Sequence, residues 1–165
     1  MDIILQTVNI NECEKLHELQ KTAYQPLLEK YRDYATNPGA ESTERIQQRF
    51  GYSTVNHYWI QLKAENIGYI RIQQNENNVY KLSQMFVLPE FQSRGYAQQA
   101  IQQAEALYPQ AQRWELDTIK QEPKLCHLYE KMGYQLTGQE NHIQPGMDLV
   151  DYAKDRASQW GESSR

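Results

Sequence analysis

Apolar side chains recur along this chain in two rhythms, every second residue in some stretches and every third or fourth in others, and their order predicts a mixed α/β fold. A short β-rich run from Ile3 to Val8 stops at Asn9, and Asn11 with Glu14 has the form of a helix-capping box. Leu16, Leu19, Ala23 and Leu27 follow at helical spacing, with Pro26 predicting a kink or a new first turn before Leu27, Leu28 and Tyr31 extend the stripe. Between Asp33 and Thr43, Asn37-Pro38-Gly39 marks a loop, and a second helix is expected from Ser42 or Thr43 to Phe50. From Asn56 the rhythm changes to strands at His57 to Lys63, Ile67 to Gln73 and Val79 to Leu88, separated by Ala64-Glu65-Asn66 and by Asn75 to Asn78, which reads as an antiparallel meander. Pro89 ends it. Ala97, Ala100, Ile101, Ala104 and Leu107 define a helix that starts near Arg94 and stops by Pro109. A strand from Arg113 to Thr118, a helix from Glu122 or Pro123 to Lys131 closed by Gly133, and strands at Tyr134 to Thr137 and Met147 to Tyr152 complete the pattern.

With 165 residues the chain is long enough to bury one core, so residues 1–156 are expected to form a single domain and residues 157–165 a tail. Only 39% of residues are hydrophobic, yet three Trp, twelve Tyr and three Phe supply large apolar area, which points to a glutamine-rich surface and not to disorder. No apolar run approaches the ~20 residues of a membrane span, and Met1 to Gln6 has neither the basic start nor the cleavage site of a leader, so a cytoplasmic protein without a membrane partner is expected. Cys13 and Cys126 stand too far apart to suggest a disulfide framework or a zinc pair, and no metal is expected. The net charge of -4, without a compensating Lys/Arg cluster, argues against a nucleic-acid partner and suits a cationic one.

The chemistry concentrates in Val87-Leu88-Pro89-Glu90-Phe91-Gln92-Ser93-Arg94-Gly95-Tyr96-Ala97, between a strand and a helix. At a helix start the first amides have no carbonyl behind them and the macrodipole is positive, so a diphosphate can be held by main-chain donors. Gly95 removes a Cβ where backbone must approach such a ligand, Ala97 does so less completely, and Arg94 adds charge. Taken alone, Gly-x-Ala fits an ordinary strand-to-helix turn equally well. The whole segment, however, resembles motif A of the GNAT superfamily of N-acetyltransferases, Val-x-Pro-x-x-(Arg/Gln)-x-x-Gly-x-(Gly/Ala), at every defined position. Leu128-Tyr129-Glu130-Lys131-Met132-Gly133-Tyr134 is similar to that family's second signature, at the usual separation.

The resemblance implies a mostly antiparallel sheet of six or seven strands flanked by about four helices, with acetyl-coenzyme A as cofactor. Gln92, Ser93, Arg94, Gly95, Tyr96 and Ala97 would hold its pyrophosphate. The strands ending at Val87 and starting near Arg113 would run parallel and splay, and a bulge near Met85 to Val87 would free an amide for the thioester carbonyl. Phe86 and Val87 are expected to make these contacts through the main chain, their side chains belonging to the core.

Attack by an amine expels a thiolate whose conjugate acid has a pKa of about 8.5, so a nearby phenol can return the proton. The resemblance assigns that role to Tyr129. Cys126, one turn earlier, raises a covalent route, but a structural cysteine is the stronger expectation. Glu115 and Asp117 share one face of their strand and are expected to ease deprotonation of the amine or to hold a cationic acceptor, or else to stand as solvated or helix-capping carboxylates. Glu122 occupies the place of a usual family Asn, which puts one cofactor contact in doubt. Acceptor recognition in the family comes from the two early helices and their loop, here Tyr24, Tyr31, Asp33, Tyr34 and Asn37, although Tyr24 and Tyr31 also fit a packing stripe. The resemblance thus implies an enzyme acting on a small or peptide amine; a homodimer is a state common in the family. A non-catalytic acyl-coenzyme A binding module is the competing reading.

Overall fold

The computed structural model describes residues 2–156; the tail expected at 157–165 lies outside the described residues. Among the described residues eleven α and β elements succeed one another: β1 (Ile4–Thr7), α1 (Cys13–Tyr31), α2 (Thr43–Arg49), β2 (Val55–Leu62), β3 (Glu65–Gln74), β4 (Val79–Val87), α3 (Tyr96–Leu107), β5 (Arg113–Ile119), α4 (Pro123–Lys131), β6 (Gln135–Gln144) and β7 (Met147–Asp155). The strands form a seven-stranded sheet in the order β1-β2-β3-β4-β5-β7-β6. β1–β2, β5–β7 and β6–β7 are antiparallel, and β4–β5 is parallel.

By internal contacts the chain separates into two compact units. One holds the described residues up to Ile72 together with Gln84–Ala104, and the other holds Gln73–Ser83 with the described residues from Glu105 onward. In the first unit α1 buries Cys13 and Leu16 against Trp59, Tyr69 and Phe86, and Ile46 of α2 joins the same cluster. Only Cys13, Leu16 and Gln20 of α1 are fully buried, so this narrow seam holds the helix: most helical stability in a folded domain comes from such a packed face. Ser42 caps α2 by accepting from the Arg45 amide at 3.2 Å. Gln99 and Gln103 of α3 bond the Ile3 amide and carbonyl at 3.0 and 2.7 Å, tying the start of β1 to that helix.

In the second unit the rings of Tyr80, Tyr108 and Trp114 meet at centroid distances of 4.9 to 6.1 Å. Tyr134 donates to Glu105 at 2.8 Å, and Lys154 closes the group through Glu105 at 2.9 Å and the Met132 carbonyl at 3.0 Å.

Several boundaries differ from expectation for local reasons. The cap before α1 lies two residues earlier than predicted: the Asn9 amide donates to Glu12 at 2.9 Å, and a 3-10 turn over Ile10–Glu12 precedes the helix. Pro26 sits inside α1, which continues through it to Tyr31. The hairpin after β2 turns at Lys63-Ala64, with φ of 50° and 65°, and not at Ala64-Glu65-Asn66; two left-handed residues match the twist of the flanking strands. α3 begins at Tyr96 and not near Arg94, because Ser93 and Gly95 have φ of 62° and 84° and cannot continue a right-handed helix. β6 runs on to Gln144, well beyond Thr137, held by its ladder to β7 although its side chains are mostly exposed.

Candidate active site

Three consecutive carbonyls at the end of β4 meet a side chain or the space of a missing one. The Met85 carbonyl accepts from the Tyr24 hydroxyl of α1 at 3.2 Å. The Phe86 carbonyl occupies the side-chain space of Gly68 on β3, where a Cβ would stand 2.3 Å from it. The Val87 carbonyl accepts from Gln92 Nε2 at 2.8 Å. Burial along β4 alternates up to Phe86 and then runs unbroken through Phe86, Val87 and Leu88. Phe86 and Val87 are 6% and 7% exposed, so their side chains belong to the core as expected and only their main chain is available for contacts. The parallel ladder of β4 to β5 covers Val79–Lys81 against Arg113–Glu115, so past Lys81 β4 has no ladder partner on that side among the described residues.

The segment that follows turns back through a 3-10 turn at Pro89–Phe91, and Gln92, Ser93, Arg94 and Gly95 are exposed. The first bond of α3 runs from the Gln99 amide to the Gly95 carbonyl at 3.1 Å, so the amides of Tyr96, Ala97 and Gln98 have no carbonyl behind them within the helix. Around Gly95 a Cβ would meet nothing within 4 Å, and its φ of 84° is left-handed; open space and a glycine backbone coincide where an anion would approach. These donors, with the Arg94 side chain, fit a diphosphate. Phe86, Val87 and residues 92–97 therefore lie together in one unit, joined by the Gln92 side chain.

Beneath α1 runs a polar network with no counterpart in the expectations. Gln84 bonds Gln20 at 2.9 Å and receives Arg71 at 2.9 Å, while Gln20 donates to the Pro38 carbonyl and to Glu41, which is paired with Arg49. Burial opposes the Glu41 charge, but Arg49 and Gln20 outweigh it and hold the carboxyl below its usual range. His57 is buried against Phe50, stacked at 3.7 Å, with Nδ1 2.6 Å from the Tyr69 hydroxyl. Burial pushes it down to about 4, and Arg71 and Arg49 add to the effect. Of the early residues expected to meet an acceptor, Tyr34 is exposed, Tyr31 lies under Lys30 at 5.3 Å, Asp33 is buried and bonds Thr36, and Asn37 accepts from the Gly39 amide at 2.7 Å.

In the other unit Tyr129 projects from α4 between Tyr134 and Tyr152, at centroid distances of 6.3 and 6.4 Å. Burial, then the negative charge of Asp117 and then Cys126, push its phenol well above the ordinary range. Glu115 pairs with Arg113 at 2.9 Å and Asp117 with Lys81 at 3.2 Å, side by side on the open face of β5. The register places Asp151 of β7 opposite Asp117, and burial followed by that neighbour raises its carboxyl. Together with Thr137 they line a recess of about 170 Å³. Cys126 is half-buried, its Sγ 3.7 Å from the Ile119 carbonyl. Glu122 stands at the N-cap of α4 without capping it through its side chain.

The model of the Acetyltransferase (GNAT) family matches residues 14–134. The chain belongs to that family. No curated protein sequence matches this acetyltransferase, but solved structures share its fold. An acetyltransferase from Thermus thermophilus is 17% identical with a TM-score of 0.74, covering 94% of this chain and 97% of its own. Spermidine N-acetyltransferase from Vibrio cholerae, solved with CoA and spermine, is 17% identical with a TM-score of 0.76 over 94% and 96%. PaiA N-acetyltransferase from Thermoplasma acidophilum, solved with coenzyme A, is 15% identical with a TM-score of 0.74 over 94% and 99%. Sequence reasoning missed Gly68, Gln20 and Gln84 in this acetyltransferase, because glutamines in a polar chain read as surface and a single glycine in a strand has no motif around it.

Proposed function

We propose that this acetyltransferase transfers an acetyl group from acetyl-coenzyme A to a primary amine by direct attack in a ternary complex, in the cytoplasm, with Tyr129 as general acid. Acetyl-coenzyme A supplies an activated acetyl group and a good leaving thiolate. The amides at the start of α3 with the Arg94 side chain grip the diphosphate, and the Phe86 and Val87 main chain, on the unpartnered side of β4, lines up the acyl arm. Burial disfavours the Tyr129 phenolate, so the phenol is protonated when the amine attacks; the same low-dielectric surroundings disfavour a free thiolate, which draws the proton as it leaves. Glu115, Asp117 and Asp151 outnumber the cations Lys81 and Arg113 in their recess, and with the net charge of -4 this favours a cationic acceptor, the class to which the spermine bound by the Vibrio relative belongs.

The observation that carries this reading is the run of carbonyls from Met85 to Val87, set against Tyr24, Gly68 and Gln92 directly ahead of an open, glycine-containing helix start. Incubation with acetyl-coenzyme A and a panel of amines, read as free thiol, tests it. Tyr129→Phe is expected to lower kcat by about a hundredfold with unchanged affinity for acetyl-coenzyme A. Binding of coenzyme A without thiol release for any amine would favour a binding module instead.

A further inference from the structure

Tyr24 belongs by position to the helix expected to meet the acceptor, yet its hydroxyl donates to a carbonyl of β4 and its ring meets Phe86 edge-on at 5.7 Å and 75°. A trans peptide is planar, and its carbonyl and amide point in opposite directions. With the Met85 carbonyl drawn toward α1, the Phe86 amide of the same peptide faces away from that helix. With the Phe86 carbonyl lying over Gly68, the Val87 amide faces away from β3, toward the side on which β4 has lost its ladder. Two peptides in succession thus have a carbonyl with a contact of its own, one to a hydroxyl and the other in the space that a glycine leaves.

We infer that Tyr24 is a positioning residue: its hydroxyl holds the Met85–Phe86 peptide so that the next amide, that of Val87, points at the thioester carbonyl. The inference rests on the reading that acetyl-coenzyme A lies along β4. Gln92 holds the carbonyl on the far side of Val87, so this amide sits between two tethered carbonyls and can donate without first reorienting. Tyr24 touches neither the cofactor nor the amine in this role and acts through the strand.

The test uses Tyr24→Phe, which keeps the ring against Phe86 and removes only the hydroxyl. Calorimetry compares two unreactive ligands: the ketone analogue of acetyl-coenzyme A in which CH2 replaces the thioester sulfur, and S-ethyl-coenzyme A, which has no carbonyl. Wild-type protein is expected to prefer the ketone, and Tyr24→Phe to lose that preference while binding S-ethyl-coenzyme A as before. Its kcat should fall by about tenfold with the KM for acetyl-coenzyme A moving by about twofold at most, because the diphosphate grip is untouched. A purely structural tyrosine would weaken both ligands alike. Retention of the ketone preference together with full kcat in Tyr24→Phe overturns the inference alone. Absence of coenzyme A binding in the wild-type protein overturns the functional reading and this inference with it.

Discussion

Gly68 and Gly95 are glycines for opposite reasons, and substitution separates them. A methyl group at Gly68 would stand 2.3 Å from the Phe86 carbonyl and 3.2 Å from Val87 Cα, so backbone has to move. Gly68→Ala is expected to destabilise the fold by about 2–3 kcal/mol, read from the denaturant midpoint. At Gly95 a methyl meets nothing within 4 Å, and only the left-handed φ of 84° opposes it. Gly95→Ala should therefore cost about 1 kcal/mol in stability while weakening coenzyme A by more than about tenfold in a titration. His57 gives a pH signature. Its ordinary value of 6.5 is pushed down to about 4 in the folded chain, so between these limits the unfolded state binds more protons. Stability from the neutral, buried imidazole is complete above 6.5 and is lost as pH falls toward 4. The melting temperature should decline over that window, and His57→Gln should flatten the decline.

Among the elements, α1 shows most directly how tertiary packing overrides local preference. Pro26 is exposed in its interior and has no N–H to give to Thr22, yet Leu16 and Cys13 anchor the helix on one side of it and the Arg32 amide closes the end on the Leu28 carbonyl at 2.8 Å. Pro26→Ala should restore the missing bond and raise stability by about 1–3 kcal/mol, checked by thermal melting. The same competition explains what could be read in advance. α2 and α4 were legible because Ser42 and Pro123 agree with their apolar rhythm, and the strands of the β2–β3–β4 meander by their alternation, although Lys63-Ala64, where the first hairpin turns, carries no turn signal. β6 was not legible to its full length: Gln139 to Gln144 is polar, and a ladder bond to β7 writes nothing into side-chain hydrophobicity.

For the whole molecule, the net charge of -4 and the exposed carboxylates of β5 and β7 should act at a distance on a cationic amine. Raising ionic strength from about 0.01 to 0.15 M shrinks the Debye length from about 30 to 8 Å, so the KM for a polyamine should rise severalfold while that for a neutral-tailed amine barely moves. A candidate for the cofactor half of the site could be named from sequence because motif A is contiguous. The polar network under α1 could not, since Gln20, Glu41, Arg71 and Gln84 are scattered through the chain and only folding collects them. The Gln92 side chain adds a thermodynamic consequence. By clamping its loop to Val87 within the protein itself, it places much of the ordering of residues 92 to 97 in the folding reaction, ahead of any encounter. Gln92→Ala should then bind coenzyme A with a similar heat but a less favourable entropy, and arrive at the same complex from a looser start.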